Sequence, residues 1–273
     1  MSELIVIKIG GGEGIELDAA LGEIATLVRE GVRVVLVHGG SHETNVLSER
    51  LGRPPTFITS PSGHTSRRTD RETLEIFEMA YCGKVNKGIV ESLRRHGVDA
   101  VGLSGIDGGL WTGKRKGAIR AVDEDGRTMV IRDDLTGRVE QVDDRLLRML
   151  LDDGRTPVLT PPAMSDEGVA MNVDADRAAA ATAKALGADE LLLLSNVPGV
   201  LRDPEDRSSL IETVSSLDEV REAAKGRMKN KVLGAEEALT GGVSRVVIGS
   251  AGGASPVADA RNGAGTLFEG AIA

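Results

Sequence analysis

Aromatic side chains make up 2% of this 273-residue chain: one Trp, one Tyr and three Phe. The length allows a large core, which must then be built from Leu, Val, Ile and Ala. The same shortage removes any row of stacking rings for single-stranded nucleic acid. Cys82 is the only cysteine, which excludes an intrachain disulfide and a Cys-based zinc site. No apolar run approaches the roughly 18 residues of a membrane span. The first residues enter a strand without a basic-then-apolar leader, so a soluble cytoplasmic protein is expected. Basic residues are outnumbered, 33 Lys and Arg against 42 Asp and Glu, for a net charge of −9. That balance disfavours wholesale binding to polyanions and leaves local basic patches open. The four histidines are scattered, and no Ser-His-Asp order is present to exploit.

What the chain does contain is alternation. Apolar strand patterns over 4–9, 32–37, 100–103, 157–160, 190–194 and 245–248 alternate with helical patterns over 17–29, about 43–51, 143–151, 217–224 and 229–239, with another helix from Ala175. Thr69 followed by Glu72 reads as a capping box. It opens a long helix with apolar positions at Leu74, Phe77, Tyr81, Val85, Ile89 and Leu93, interrupted by Gly83 and Gly88. The stretch from Pro54 to Ser66 reads as irregular. Residues 117–142, split by Asp-Glu-Asp-Gly and Thr-Gly, read as hairpins. Strands separated by helices imply an α/β fold with a mainly parallel sheet flanked by helices and decorated by the hairpins.

One strand carries an oddity. Leu4 to Gly12 is an apolar run holding a single lysine, Lys8, and running into Gly10, Gly11 and Gly12. An ammonium among apolar neighbours is costly unless an anion meets it, and glycines let backbone approach a ligand closely. An edge lysine before a flexible turn is the competing reading. Similar turns end other strands: His38-Gly39-Gly40-Ser41, Ser104-Gly105, Ser195-Asn196 and Ser250-Ala251-Gly252-Gly253. Five such turns favour one shared ligand edge, where strand ends meet helix N-termini. Two familiar phosphate signatures fail here. The first glycines lack G-x-G-x-x-G spacing, and Gly108 to Lys114 is followed by Arg115 instead of Ser or Thr.

Lys229, Asn230 and Lys231 place cations where a helix begins, the end that repels them. Either a solvated basic turn or a bound anion accounts for that. Asp174 and Asp176 open the Ala-rich helix, as dipole partners or, for Asp176, as a holder of two lysines.

Taken together, Lys8 with its glycines, His38-Gly39-Gly40, Asn172 to Asp176, Leu194 to Val200 and Met228 to Lys231 resemble the amino-acid kinase family over nearly the whole chain. Within it the resemblance is to the acetylglutamate kinase group and its carrier-protein-linked branch. Ser41, the stretch from Ser60 to Asp70, and Gly102 to Gly109 carry that narrower likeness. The resemblance implies a single domain, residues 1–273, with a three-layer αβα sandwich around an open, mainly parallel sheet. An acceptor lobe would span residues 1–170 and an ATP-binding lobe residues 171–273.

It further implies transfer of phosphate from ATP to the side-chain carboxylate of 2-aminoadipate, or of glutamate, borne on a small acidic amino-group carrier protein. This is chemistry of lysine and arginine biosynthesis. Lys8 and Lys231 would stabilise the transferring phosphoryl group while Asp176 orients them. Gly39, Gly40, Ser41, Arg67 and Asn172 would face the acceptor. Gly10, Gly11, Gly12, Ser195, Asn196, Lys229 and Thr266 would hold ATP, whose phosphates carry Mg²⁺. An ionised carboxylate acceptor needs no general base. Arg68 departs from the aromatic or apolar residue usual before Thr69.

A carrier with acidic character would need a basic landing strip. Arg67, Arg68 and Arg71, with Lys114, Arg115, Lys116 and Arg120, are the candidates, against a merely solvated surface. A homodimer is expected by resemblance. Acetylglutamate kinase activity and a non-catalytic sensing module are the alternatives.

Overall fold

The computed structural model describes residues 2–61, 65–122 and 128–269. Ser62, Gly63 and His64, and the Asp-Glu-Asp-Gly run at 123–126, lie outside the described residues.

In chain order the elements begin with β1 (Leu4–Ile9), α1 (Asp18–Arg29), β2 (Arg33–His38) and α2 (Ser41–Arg50). A hairpin of β3 (Phe57–Thr59) and β4 (Thr65–Arg67) precedes α3 (Arg71–Glu78), a π-helical turn over Met79–Val85, α4 (Asn86–Arg95) and β5 (Ala100–Ser104). Next come β6 (Trp111–Arg115), β7 (Ile119–Val122), β8 (Thr128–Ile131), β9 (Gly137–Val142), α5 (Arg145–Asp152) and β10 (Thr156–Thr160). After β11 (Ala163–Ser165) and β12 (Ala170–Met171) follow α6 (Ala175–Leu186), β13 (Glu190–Ser195), α7 (Leu217–Ala223) and α8 (Met228–Thr240). The last are β14 (Arg245–Ser250), α9 (Pro256–Arg261) and β15 (Thr266–Glu269).

The central sheet runs β15-β14-β13-β1-β2-β10-β5, parallel except for β15 against β14. Strands from both expected lobes therefore share one sheet, with β1 at the junction. Successive side chains of β1 point to opposite faces. Leu4 and Val6 join the core packed on α6 and α8, while Ile5, Ile7 and Ile9 join the core on α1, α4 and α9. Each such side chain contributes about 1.5–3 kcal/mol by leaving water. The single Trp111 is fully buried and donates from Nε1 to Thr182 Oγ1 at 3.0 Å, tying the hairpin strands to α6. Two small sheets, β12-β11-β6-β9 and β4-β3-β7-β8, decorate this frame. Among the described residues no helix is long and apolar enough to cross a membrane.

Three expectations change. Asp70, not Thr69, caps α3, its carboxylate accepting from Thr73 N–H at 2.9 Å; Thr69 is occupied elsewhere. The stretch 54–66, read as irregular, contains β3 and the start of β4. The expected long helix is instead α3, a π-helical stretch over Met79–Val85, and α4, and the π-helical stretch carries Tyr81, whose ring lies against Gly40. Elements β6, β11, β12, α9 and β15 lie outside the strands, helices and hairpins expected from periodicity.

His38 ends β2 as a buried tether. Its Nδ1–H donates to Gly39 O at 2.9 Å, and Nε2 accepts from Asn86 Nδ2 at 3.0 Å. The same Asn86 amide donates to Val158 O at 3.0 Å, joining α4 to β10. Burial pulls the imidazole down from 6.5 to about 4. The unfolded chain protonates His38 near 6.5 and the folded one near 4, so U binds more protons in between. Stability from this group is complete above 6.5 and falls as pH drops toward 4. Chemical denaturation should show a loss of about 2 kcal/mol between roughly pH 7 and pH 5 that His38→Gln abolishes. An unchanged slope in the variant would contradict the tether.

Candidate active site

Lys8 lies on the face of β1 that looks toward α6 and α8, where apolar side chains would otherwise continue. There its Nζ sits 2.5 Å from Asp176 Oδ1, and Lys231 Nζ hydrogen-bonds Asp176 Oδ2 at 2.6 Å. Lys8 and Asp176 are each 5% exposed and Lys231 is 8% exposed. Burial lowers the Lys8 pKa, a tendency the Lys231 charge adds to and Asp176 opposes. Burial alone would raise Asp176; the charges and hydrogen bonds of Lys231 and Lys8 overcome it and hold the carboxyl well below the usual range. With both lysines protonated, the triad leaves one positive charge in excess inside the protein. Burying an ion costs several kcal/mol even after relaxation. An anion arriving at this point is the natural partner.

Local sequence explains how three chain segments meet here. Asp174 caps α6, accepting from Arg177 N–H at 3.0 Å, and its other oxygen accepts from Asn230 Nδ2 at 2.8 Å. Arg177 in turn pairs with Glu237. The N-terminal ends of α6 and α8 are thus clamped together, which presents Asp176 beside Lys231. Of the two acids that opened this helix, Asp174 is the cap and Asp176 the lysine holder. Lys229 is exposed and stands outside the triad.

The glycine turns close over the same edge. A side chain on Gly11 would lie 2.1 Å from Gly40 N, so the β1–α1 and β2–α2 loops are in backbone contact that only glycine permits. Gly11 O accepts from Ser41 Oγ at 3.0 Å and from His42 N–H at 2.8 Å. Ser41 therefore stitches the two loops, a role the sequence did not reveal. Gly10 continues the sheet ladder by donating to Leu194 O at 2.8 Å, and Gly39 does so to Ile9 O at 3.0 Å. Gly12 is loosely surrounded, its nearest neighbour Ile15 at 3.9 Å from a would-be side chain. Gly40 is flanked from below by the Tyr81 ring, which stacks on Phe77 at 3.8 Å between centroids. Burial pushes the Tyr81 hydroxyl up to about 12, so it stays protonated.

Arg67 reaches the same loops. Its Nη2 donates to Asn45 Oδ1 at 2.5 Å and to Ser41 O at 3.3 Å, while the guanidinium lies over the Phe57 ring at 5.3 Å. Its Nη1 is buried and has no hydrogen-bond partner among the described residues. An unsatisfied buried donor is costly and marks a place for an acceptor atom. Asn172 is partly buried and donates from Nδ2 to Thr69 Oγ1 at 3.3 Å. Asn45, which orients Arg67, carried no motif and was missed.

On the other half of the edge, Ser195 Oγ is buried and unpartnered, and Asn196 beyond it is exposed. Thr266 is fully buried at the start of β15, and its Oγ1 accepts from Val200 N–H at 2.8 Å, closing the Gly199 turn.

The basic candidates divide. Arg68 is already paired with Asp70 at 3.0 Å and Asp133 at 2.6 Å, and Arg115 with Glu167 at 3.2 Å. Lys114 lies 3.9 Å from Glu140. Arg71, Lys114, Lys116 and Arg120 are exposed. Among the described residues no group of three or more His, Cys, Asp or Glu is placed to hold a metal ion.

Comparison with known proteins accords with this geometry. The chain is 56% identical over 266 residues to a Deinococcus radiodurans protein named LysW-aminoadipate kinase, covering 97% of this chain and 91% of that one. It is 50% identical over 268 residues to the Thermus thermophilus protein of the same name, covering 97% and 99%. An acetylglutamate kinase of Prochlorococcus marinus is 39% identical over 248 residues, 88% of this chain and 76% of that one. Among solved structures, smu.665 from Streptococcus mutans superimposes with a TM-score of 0.74 at 26% identity, covering 98% and 99%. The Amino acid kinase family pattern matches residues 3–250, and the chain belongs to that family.

Proposed function

We propose that this enzyme transfers the terminal phosphoryl group of ATP to the side-chain carboxylate of 2-aminoadipate held by a small acidic carrier protein. The observation that carries the phosphoryl-transfer reading is the buried triad in which Lys8 and Lys231 share the single carboxylate of Asp176. The relatives at 56% and 50% identity, named LysW-aminoadipate kinase, support the substrate and the carrier. Phosphoryl transfer asks for positioning and for cations around developing oxygen charge, with little covalent help. One carboxylate oxygen of the acceptor attacks the terminal phosphorus as the bond to the bridging oxygen breaks, giving an acyl phosphate and ADP. Lys8 and Lys231 neutralise charge gathering on the phosphoryl oxygens, and Asp176 keeps both ammoniums aimed without taking a proton.

In this reading Arg67, through its unpartnered Nη1, and Asn172 grip the acceptor on the side of residues 1–170. Residues 171–273, with Ser195 and Asn196, receive ATP, and Mg²⁺ travels on the ATP phosphates. Two copies of the chain form a homodimer, which sedimentation measures directly. The 39%-identical acetylglutamate kinase supports a second reading, with acetylglutamate as a free acceptor.

An ADP-release assay with loaded carrier, free 2-aminoadipate and acetylglutamate separates these. Loaded carrier should turn over fastest by far; efficient turnover of acetylglutamate alone would sink the carrier reading. Lys8→Ala and Lys231→Ala should each lower kcat roughly 10²–10³-fold with ATP affinity changed only slightly. Equal losses in both would indicate a nucleotide-binding module instead of a catalyst. Charge reversal at Lys114 and Lys116 should raise the KM for loaded carrier several-fold, more at low salt than at high, because exposed charges act over a Debye length of about 10 Å. A salt-independent effect would remove these lysines from the docking surface.

A further inference from the structure

Asp134 is a buried carboxylate for which the phosphoryl-transfer chemistry has no use. It is 1% exposed, and among the described residues its two oxygens meet backbone amides only. Oδ2 accepts from Thr69 N–H at 2.9 Å and Oδ1 from Thr136 N–H at 2.9 Å. Arg115, which hydrogen-bonds the Asp134 backbone, donates to the Asp134 and Arg132 carbonyl oxygens and to Glu167, not to this carboxylate. Burying a charge without an ion partner is expensive compared with a neutral side chain of the same shape. Charge-assisted bonds to amides are roughly twice as strong as neutral ones, so rigidity is what the charge supplies.

The rigidity converges on Thr69. Its N–H is held by Asp134, and its C=O accepts from Leu135 N–H at 2.6 Å. Its hydroxyl donates to Arg67 O at 3.2 Å and accepts from Asn172 Nδ2 at 3.3 Å. One hydroxyl thus joins the two residues that face the acceptor. The Asn172 backbone is bound into the same knot, donating to Leu135 O at 2.8 Å and accepting from Gly137 N–H at 2.9 Å. Three segments far apart in sequence, 67–70, 133–137 and 170–172, meet at this point. The Thr136 hydroxyl beside it is buried and unpartnered.

We infer that Asp134, acting through Thr69, is the positioning residue that sets the spacing between Arg67 and Asn172, and with it the affinity for the acylated acceptor. This rests on the reading that those two residues grip the acceptor. Misplacing a binding group by about 1 Å can cost 10²-fold, so a carboxylate that never touches substrate can govern its binding.

Asp134→Asn turns one accepting oxygen into an amide that confronts an N–H. Thr69→Val removes the hydroxyl and leaves every backbone bond of the knot. Each should raise the acceptor KM about tenfold while the ATP KM stays within about twofold. The double variant should be no worse than the more damaging single one, because both act through one element. Amide exchange at Thr69 and Thr136 should quicken in Asp134→Asn while the sheet amides keep their protection. Should Asp134→Asn fail to fold, Thr69→Val carries the kinetic test alone. Parallel rises in both KM values, multiplying effects in the double variant, or an unchanged acceptor KM would each overturn the inference. If the wild-type protein turns over no acceptor at all, the functional reading fails instead, and amide exchange still decides whether Asp134 holds the knot.

Discussion

Everything at the reactive edge depends on one carboxylate lying between two buried ammoniums. Without Asp176, Lys8 and Lys231 would repel each other in a medium that screens poorly, and each would shed its proton or its position. With it, each ammonium has a carboxylate oxygen within 2.6 Å, and two lysines share a single negative charge that an incoming anion would supplement. The clamp of Asp174 on Arg177 N–H and Asn230 exists to present that carboxylate. So does the apolar packing of α6 and α8, since it brings the two helix N-termini to the end of β1.

Around that centre the two halves solve different problems. The glycine loops are fused backbone to backbone, with the Ser41 hydroxyl closing the seam, which suits a group that must be met by amides at close range. The side proposed for the acceptor presents side chains, Arg67 and Asn172, and side chains need to be fixed from behind. Asn45 and Phe57 do this for Arg67, and Thr69 does it for Asn172. Preorganised donors of this kind gain their strength by not having to rearrange when charge moves.

How much of this could be read in the chain depends on whether a residue's partner lies near it in sequence. Lys8 was legible because a lone charge in an apolar strand has no local explanation, and Lys231 because cations at a helix start oppose the helix dipole. The parallel sheet followed from periodicity. Local signals misled where a distant partner competed. Thr69 with Glu72 has the pattern of a capping box, but Thr69 is bound by Asp134, Leu135 and Asn172, so the neighbouring Asp70 takes the cap. Asn45, Asn86 and Asp134 sit in no motif, and only the fold assembles their partners. The π-helical turn that seats Tyr81 is likewise invisible to a 3.6-residue periodicity.

The place of β1 between β2 and β13 has a consequence for how the chain acquires its activity during synthesis. Strand β1 pairs on one side with β2, which follows it closely in the chain, and on the other with β13, which is made much later. Leu4 N–H bonds Asp189, 185 positions onward. Until β13, α6 and α8 exist, Lys8 is a charge with no counter-ion on a strand with one open side. Contacts of such separation are slow to close, and exposed strand edges invite the wrong partners. Until those later elements are made, the Lys8–Asp176–Lys231 triad cannot assemble, and the open side of β1 is a template for pairing with another chain.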